Sequence, residues 1–265
     1  EEKAGVVRFS RAATVGQHVR RAGEDLKRGD EVLSAGCLLT PGELGLLAGL
    51  GRTLVAVHRR PEVTILSTGD ELVPPDIAPG PGQIVNSNSH ALLAQAMQAG
   101  ARARILPIAS DDKSALRAAF LEALCADVVI SSGGVSVGDF DYVREVLAEL
   151  GAQEKISKVA MKPGKPIAFS VVESRDSVRK ALIFGLPGNP ASSMVSFELF
   201  VYPALRALQG FPRAAQARPR VRVRLAADVH PDPQRLHFMR ARIERRVDAS
   251  GAGDLYAHPL RQQGS

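Results

Sequence analysis

Leu182-Ile183-Phe184-Gly185-Leu186-Pro187-Gly188-Asn189-Pro190 passes from an apolar strand, through a stiff glycine-punctuated turn, straight into a helix. Proline fixes φ, and glycine lets backbone come close to a ligand. Asn189 suits the N-cap and Pro190 the first helical position. A helix start behind such a loop favours an anion. Upstream, Lys162-Pro163-Gly164-Lys165-Pro166 is a second stiff turn. Its two lysines point to a phosphate-like or oxyanion ligand rather than an apolar one.

The strand–loop–helix rhythm extends outward from that stretch. Val63 to Leu66 reads as a buried strand, and Asn88 or Ser89 caps a helix running to about Gln98. Arg104 to Ile108 reads as a strand. Ser110-Asp111-Asp112 opens a helix with Leu116, Phe120 and Leu124 on its apolar face. Asp127 to Ile130 leads a strand into Ser131-Ser132-Gly133-Gly134, and Asp139 starts a helix ending before Gly151. Ile156 to Met161 and Ile167 to Val172 are further strands. Pro190 begins a helix to about Leu208, with Pro203 as a kink. Units of this kind predict a three-layer α/β/α domain over residues 61–210, with a mostly parallel sheet. Ligands then gather at the carboxyl ends of its strands.

Both flanks differ. Residues 1–60 read as a partial β-rich region and linker, with a brief helix between Leu44 and Leu50. Residues 211–265 read as a small, incomplete β domain. There Arg220 to Leu225 alternates with period two, Leu236 to Val247 forms a second strand region, and a turn at Ser250 to Gly253 leads into Leu255-Tyr256-Ala257.

The 45% hydrophobic content fits a chain with a real core, and no apolar run reaches membrane-spanning length. No secretory signal is visible, and Cys37 and Cys125 form no motif, which implies free thiols in a reducing cytoplasm. Net charge is +6, so nucleic acid has to be weighed as a partner. Aromatics are only 5% and Trp is absent, which argues against a base-stacking platform. The basic excess is local: Phe211 to Arg246 carries ten arginines against three acids, which reads first as a charged surface.

If the sheet is mostly parallel, its loops form one cleft. Gly-rich backbone, Ser/Thr hydroxyls and lysines there favour phosphate. Carboxylates at Glu71, Asp111 and Asp141 would repel it. A divalent cation resolves the conflict, since Mg²⁺ takes one or two carboxylates plus substrate phosphates. Each element also has a plainer reading. Asp111 and Asp141 suit first helical turns, Gly133-Gly134 suits any tight turn, and Lys158 suits a solvated strand. No zinc-ligand spacing, G-x-S-x-G elbow or Walker A loop is present.

Five segments in this order resemble the MoeA family, the molybdopterin molybdenumtransferases, which includes the C-terminal domain of gephyrin. They are Leu66-Ser67-Thr68-Gly69-Asp70-Glu71-Leu72, Gly82-Gln83-Ile84-Val85-Asn86-Ser87-Asn88, Ser131 to Gly138, Met161 to Pro166 and Gly185 to Pro190. Arg21-Ala22-Gly23-Glu24-Asp25 also looks like a family motif. The resemblance implies the molybdopterin-binding fold for the central domain. It implies insertion of molybdate into adenylylated molybdopterin, with release of AMP and help from Mg²⁺.

By motif position the resemblance puts catalytic roles on Asp25, Glu71, Asp111, Asp141, Lys158 and Lys162. Glu71, Asp111 and Asp141 would hold the metal. Thr68, Gly69, Ser132, Gly133, Gly134, Ser136, Lys165, Pro187, Gly188, Asn189 and Pro190 would bind substrate. It also implies a cytoplasmic homodimer, with other proteins of molybdenum-cofactor biosynthesis as partners and neither nucleic acid nor membrane. Two alternatives stay open: a non-catalytic scaffold of the same fold, and the related molybdopterin adenylyltransferase.

Overall fold

In the computed structural model the chain forms two compact units, Glu1–Thr53 and Leu54–Ser265. The structure describes residues 2–3, 5–7, 10–133, 142–173, 180–230, 233–247 and 253–260. In the first unit, Glu2–Lys3 (β1) and Val6–Val7 (β2) pair antiparallel, turns follow, and Pro41–Gly49 forms a helix (α1). Thr40 and Glu43 close a capping box on α1, with the Thr40 N–H donating to the Glu43 carboxylate at 2.8 Å. Among the described residues this unit is mostly turns, and its strand pairing is confined to β1 and β2.

The second unit is built on Glu62–Ser67 (β3), Leu72–Val73 (β4), Ile84–Val85 (β5), Arg102–Ile105 (β6), Val128–Ser132 (β7), Gln153–Ile156 (β8), Met161–Lys162 (β9), Ala168–Glu173 (β10) and Lys180–Leu186 (β11). Its helices are Asn88–Gln98 (α2), Lys113–Ala123 (α3), Tyr142–Glu149 (α4), Pro190–Ser196 (α5) and Tyr202–Leu208 (α6). Six strands form the central sheet in the order β6-β3-β7-β11-β10-β8. β6, β3, β7 and β11 run parallel, while β10 is antiparallel to both β11 and β8.

Alternation along β7 shows why both faces are covered. Val128 and Ile130 point to a core shared with Leu92 and Ala96 of α2 and with Phe197, Val201 and Leu205. Val129 points to the opposite core, with Leu116 and Phe120 of α3 and Val143 and Val146 of α4. Phe120 and Phe197 are fully buried. Each such side chain stabilises the fold by about 1.5–3 kcal/mol relative to exposure.

The C-terminal stretch contributes Arg224–Leu225 (β12), Leu236–His237 (β13), Ala241–Val247 (β14) and Gly253–Pro259 (β15). β14 and β15 pair antiparallel, and β12 joins β15 parallel. The expected strand over Arg220 to Leu225 is therefore reduced to its last two residues. The expected region Leu236 to Val247 splits: β13 leaves the small sheet and pairs parallel with β9.

Other boundaries shift for identifiable reasons. β6 stops at Ile105, two residues short of Pro107, which has no N–H for a ladder. The predicted strand Ile156 to Met161 is interrupted, so Lys158 lies between β8 and β9 rather than on a strand. Ser87, not Asn88 or Ser89, caps α2. The segment Pro190 to Leu208 is helical throughout, and the irregularity ahead of Pro203 takes the form of a π-helix over Phe197–Val201. Pro203 lacks an N–H and its ring crowds the preceding turn. The wider turn accommodates it, with the Tyr202 N–H donating to the Phe197 carbonyl.

Candidate functional site

Loops following β3, β7 and β11 leave from the carboxyl edge of the sheet. Because β10 runs the other way, the loop preceding it reaches the same edge. The register sets Ala168, at the start of β10, opposite Gly185, and Phe169 opposite Ile156 at the end of β8. The predicted gathering of loops is thus met in the backbone.

The centre of the edge is a cleft of about 260 Å³ lined by Thr68, Glu71, Asn86, Asn88, Ser132, Gly133, Gly188 and Pro190, among others. Three contacts draw its walls together. The Thr68 N–H donates to the Ser132 carbonyl at 3.3 Å. The Asn88 amide donates to the Ser132 hydroxyl at 3.0 Å and to the Gly188 carbonyl at 2.7 Å. Gly133 sits at φ +97°, and a Cβ there would fall 2.6 Å from the Thr68 carbonyl oxygen. Only glycine allows that approach. The Thr68 hydroxyl is buried and has no partner among the described residues, and the Asn189 side-chain oxygen accepts from the Ser192 N–H at 3.2 Å, capping α5.

Beneath the cleft, Ser67, Asn86 and Ser89 are buried and bonded to one another, with Ser67 and Ser89 hydroxyls 2.6 Å apart. A fully satisfied polar cluster fixes the loop between β5 and α2. In the sequence, Ser67 and Asn86 stand in family-like segments with no individual role, and Ser89 reads only as a candidate helix cap. Asn88 likewise reads as a candidate cap, from its place just ahead of an apolar periodic stretch, and not as a cleft residue. Replacing Asn88 with Ala should remove two hydrogen bonds and cost about 1–2 kcal/mol of stability. Ligand affinity should fall with it. Thermal denaturation and calorimetry check both, and unchanged values would mean that the loops hold themselves.

At one end of the edge carboxylates crowd together. The Asp111 N–H donates to the Asp70 carboxylate at 3.2 Å, and Glu71 folds back over Gly69, its Cδ 2.8 Å from where a Cβ on that glycine would sit. Burial, followed by the charges of Asp70 and Glu71, pushes the Asp111 carboxyl above its usual range. The first-turn reading of Asp111 is corrected here: Asp112 caps α3, accepting from the Ser114 and Ala115 N–H groups at 3.0 Å. Asp111 lies before the cap and is free for other work. Among the described residues no group of three His, Cys, Asp or Glu is arranged to hold a metal ion. Gly134, Ser136 and Asp141 lie outside the described residues.

The other end is cationic. Lys158, Lys162 and Lys165 are exposed and have no carboxylate partner among the described residues. Pro163 follows Lys162 through a cis peptide. Gly164 has φ +102°, and a Cβ there would lie 2.8 Å from the Ser196 hydroxyl, so the lysine loop rests on α5. None of the three lysines lines the cleft. The anchors of Lys165 and Lys158, at β10 and β8, stand three and four strands from β3, roughly 14–19 Å at ordinary strand spacing. The edge is therefore polarised, with acids at one pole, hydroxyls and bare backbone between, and lysines at the other. Asp25 belongs to the first unit, where it pairs with Arg20.

This edge and its three-layer scaffold define a molybdopterin-binding domain, by comparison with known proteins. A family model described as the probable molybdopterin binding domain matches residues 64–207. Models of the MoeA N-terminal region (domain I and II) and the MoeA C-terminal region (domain IV) match residues 1–51 and 222–265. The chain belongs to the MoeA family.

The molybdopterin molybdenumtransferase of Nostoc sp. is 42% identical over 221 residues, covering 83% of this chain and 50% of the relative. That of Haemophilus influenzae is 41% identical over 207 residues, covering 78% of this chain and 50% of the relative. Among solved structures, the molybdopterin biosynthesis moea protein from Pyrococcus horikosii superposes with a TM-score of 0.69 at 30% identity, over 91% of this chain and 55% of that one. The chain spans about half the length of the curated relatives it matches. Among the described residues no helix is long and apolar enough to cross a membrane.

Proposed function

We propose that the chain acts in molybdenum cofactor biosynthesis as a molybdopterin molybdenumtransferase, joining molybdate to adenylylated molybdopterin with release of AMP. The observation that carries this reading is the polarised carboxyl edge, where a ligand with phosphates at one end and an oxyanion at the other finds matching groups in order.

The residues divide the work. Thr68, whose buried hydroxyl lacks a partner, and Ser132 donate to phosphate oxygens. Backbone at Gly69, Gly133 and from Pro187 to Pro190 admits the ligand closely. Lys158, Lys162 and Lys165 offset the charge of molybdate or of a departing phosphate. Asp25 and Asp141 join this reading through the family resemblance alone.

Magnesium fits the acid pole. Asp111 is held above its usual pKa by burial and by Asp70 and Glu71, a crowding that a divalent cation relieves. Two carboxylates from this chain suffice where substrate phosphates complete the octahedron. Glu71 and Asp111 would hold the ion, with Asp141 as a third. Bound there, it supplies electrophilic stabilisation of the phosphoanhydride and of the leaving AMP.

A homodimer in the cytoplasm, working beside other proteins of molybdenum-cofactor biosynthesis, belongs to the same proposal. The test is incubation of the chain with adenylylated molybdopterin, molybdate and Mg²⁺, following AMP. Release that depends on molybdate supports the transferase. Binding without release would favour a scaffold, and ATP-dependent adenylylation of molybdopterin would favour the adenylyltransferase.

A further inference from the structure

His237 is the one C-terminal residue that the strand register sets opposite a lysine of the basic pole. β13 and β9 pair parallel with Leu236 opposite Met161 and His237 opposite Lys162. The Leu236 N–H donates to the Ala160 carbonyl at 2.9 Å and the Phe238 N–H to the Lys162 carbonyl at 2.8 Å. Register partners in a parallel pair present their side chains to the same face, about 4.8 Å apart. The imidazole of His237 is half-buried, and its Nδ1 is fully buried with no hydrogen-bond partner among the described residues. A buried polar atom left without a hydrogen bond is destabilising. Lys162, directly beside it, has an exposed side chain and no carboxylate partner among the described residues. Two groups that each lack a partner thus sit side by side, joined by a backbone ladder that fixes their spacing.

We propose that His237 is a positioning residue for Lys162. With its proton on Nε2, the imidazole offers the Nδ1 lone pair to one N–H of the Lys162 ammonium. The two remaining N–H groups then face an oxyanion at the basic pole. The four-carbon stem of a lysine is otherwise free to sample many rotamers, and ordering it costs side-chain entropy. A fixed acceptor on the neighbouring strand bears part of that ordering before the anion arrives. The C-terminal region thereby contributes to the site a side chain that the central domain lacks. The proposal rests on the oxyanion role given to Lys162 above.

A double-mutant cycle on the 265-residue chain tests it, with molybdate alone as the probe in calorimetry. His237→Phe should weaken molybdate binding about tenfold, the scale of one hydrogen bond to a charged group. His237→Asn, whose amide oxygen takes the place of Nδ1, should restore most of the loss. Lys162→Met should weaken binding at least as much as His237→Phe, and the double variant should be no weaker than Lys162→Met. In the AMP assay the loss should appear in KM for molybdate rather than in kcat. Additive effects, or an Asn variant no better than Phe, would overturn the assignment. So would a wild-type chain that binds no molybdate. Coupled residues in a chain that never releases AMP would sink the transferase reading and leave the assignment of His237 standing.

Discussion

Gly133→Val should abolish molybdate-dependent AMP release and lower the melting temperature by roughly 4–24 °C. Two costs add. A β-branched residue at φ +97° is strained by about 1–3 kcal/mol. The new Cβ would also lie 2.6 Å from the Thr68 carbonyl oxygen, a backbone atom that cannot swing aside as a flexible side chain would. Relieving that overlap costs about 1–3 kcal/mol more. For a unit of this size, each kcal/mol shifts the midpoint by about 2–4 °C. Relief comes only by moving the loops after β3 and β7 apart, which opens the cleft between Thr68 and Ser132. Gly188→Ala is the matched control. A Cβ at Gly188 meets nothing within 4 Å, so that variant should melt within about a degree or two of the parent. Equal effects from the two changes would mean that close approach at Gly133 has no role.

Asp111→Asn should lower AMP release by about a hundredfold or more, the usual loss for a preorganised electrostatic group, while leaving the protein at least as stable at neutral pH. The sign follows from linkage. The folded-state pKa of Asp111 is raised, first by burial and then by Asp70 and Glu71. The folded chain therefore holds this proton more tightly than the unfolded chain. Stability falls as pH rises from the ordinary aspartate value, about 4, through the raised folded value, and the loss persists above it. Asparagine keeps the size and the backbone N–H bond to Asp70 but does not ionise. The variant should flatten that part of the stability–pH curve, read as melting temperature between about pH 4 and pH 7 without Mg²⁺. Adding Mg²⁺ should raise the melting temperature of the parent more than that of the variant. A variant that melts well below the parent at neutral pH would show Asp111 to be structural.

Much of this architecture is legible in the sequence because local signals agree with the fold. Pro190 after Asn189 marks a helix start without reference to anything distant, and the apolar run Val128 to Ile130 bounded by Gly133 marks a buried strand. What was missed depends on long-range contact. Lys158 falls in the gap between β8, which ends at Ile156, and β9, which pairs with β13 some seventy residues later in the chain. No periodicity reports such a pairing. Arg220 to Leu225 alternates as a strand should, yet only its end finds a neighbour in β15. Pro203 signals an irregular helix, but one proline says nothing about how the preceding turn will widen. At the site, the acids and lysines announced themselves by type. Asn88 and His237 did not, since what distinguishes them is a hydrogen bond and a buried lone nitrogen on other elements.

The reversed direction of β10 has a consequence for ion traffic. It brings the loop of Lys162 and Lys165 to the edge where Lys158, after β8, also lies, three to four strands from the loop of Asp70 and Glu71 after β3, about 14–19 Å by ordinary spacing. That is roughly two Debye lengths at physiological salt, where exposed charges are screened beyond about 8 Å. The causes acting on Asp111 agree: burial, two carboxylates and a backbone hydrogen bond, with no lysine among them. Exposed charges at the two poles are thus largely screened from each other. On the function proposed above, a cation at the acid pole and an oxyanion at the basic pole would then load in either order.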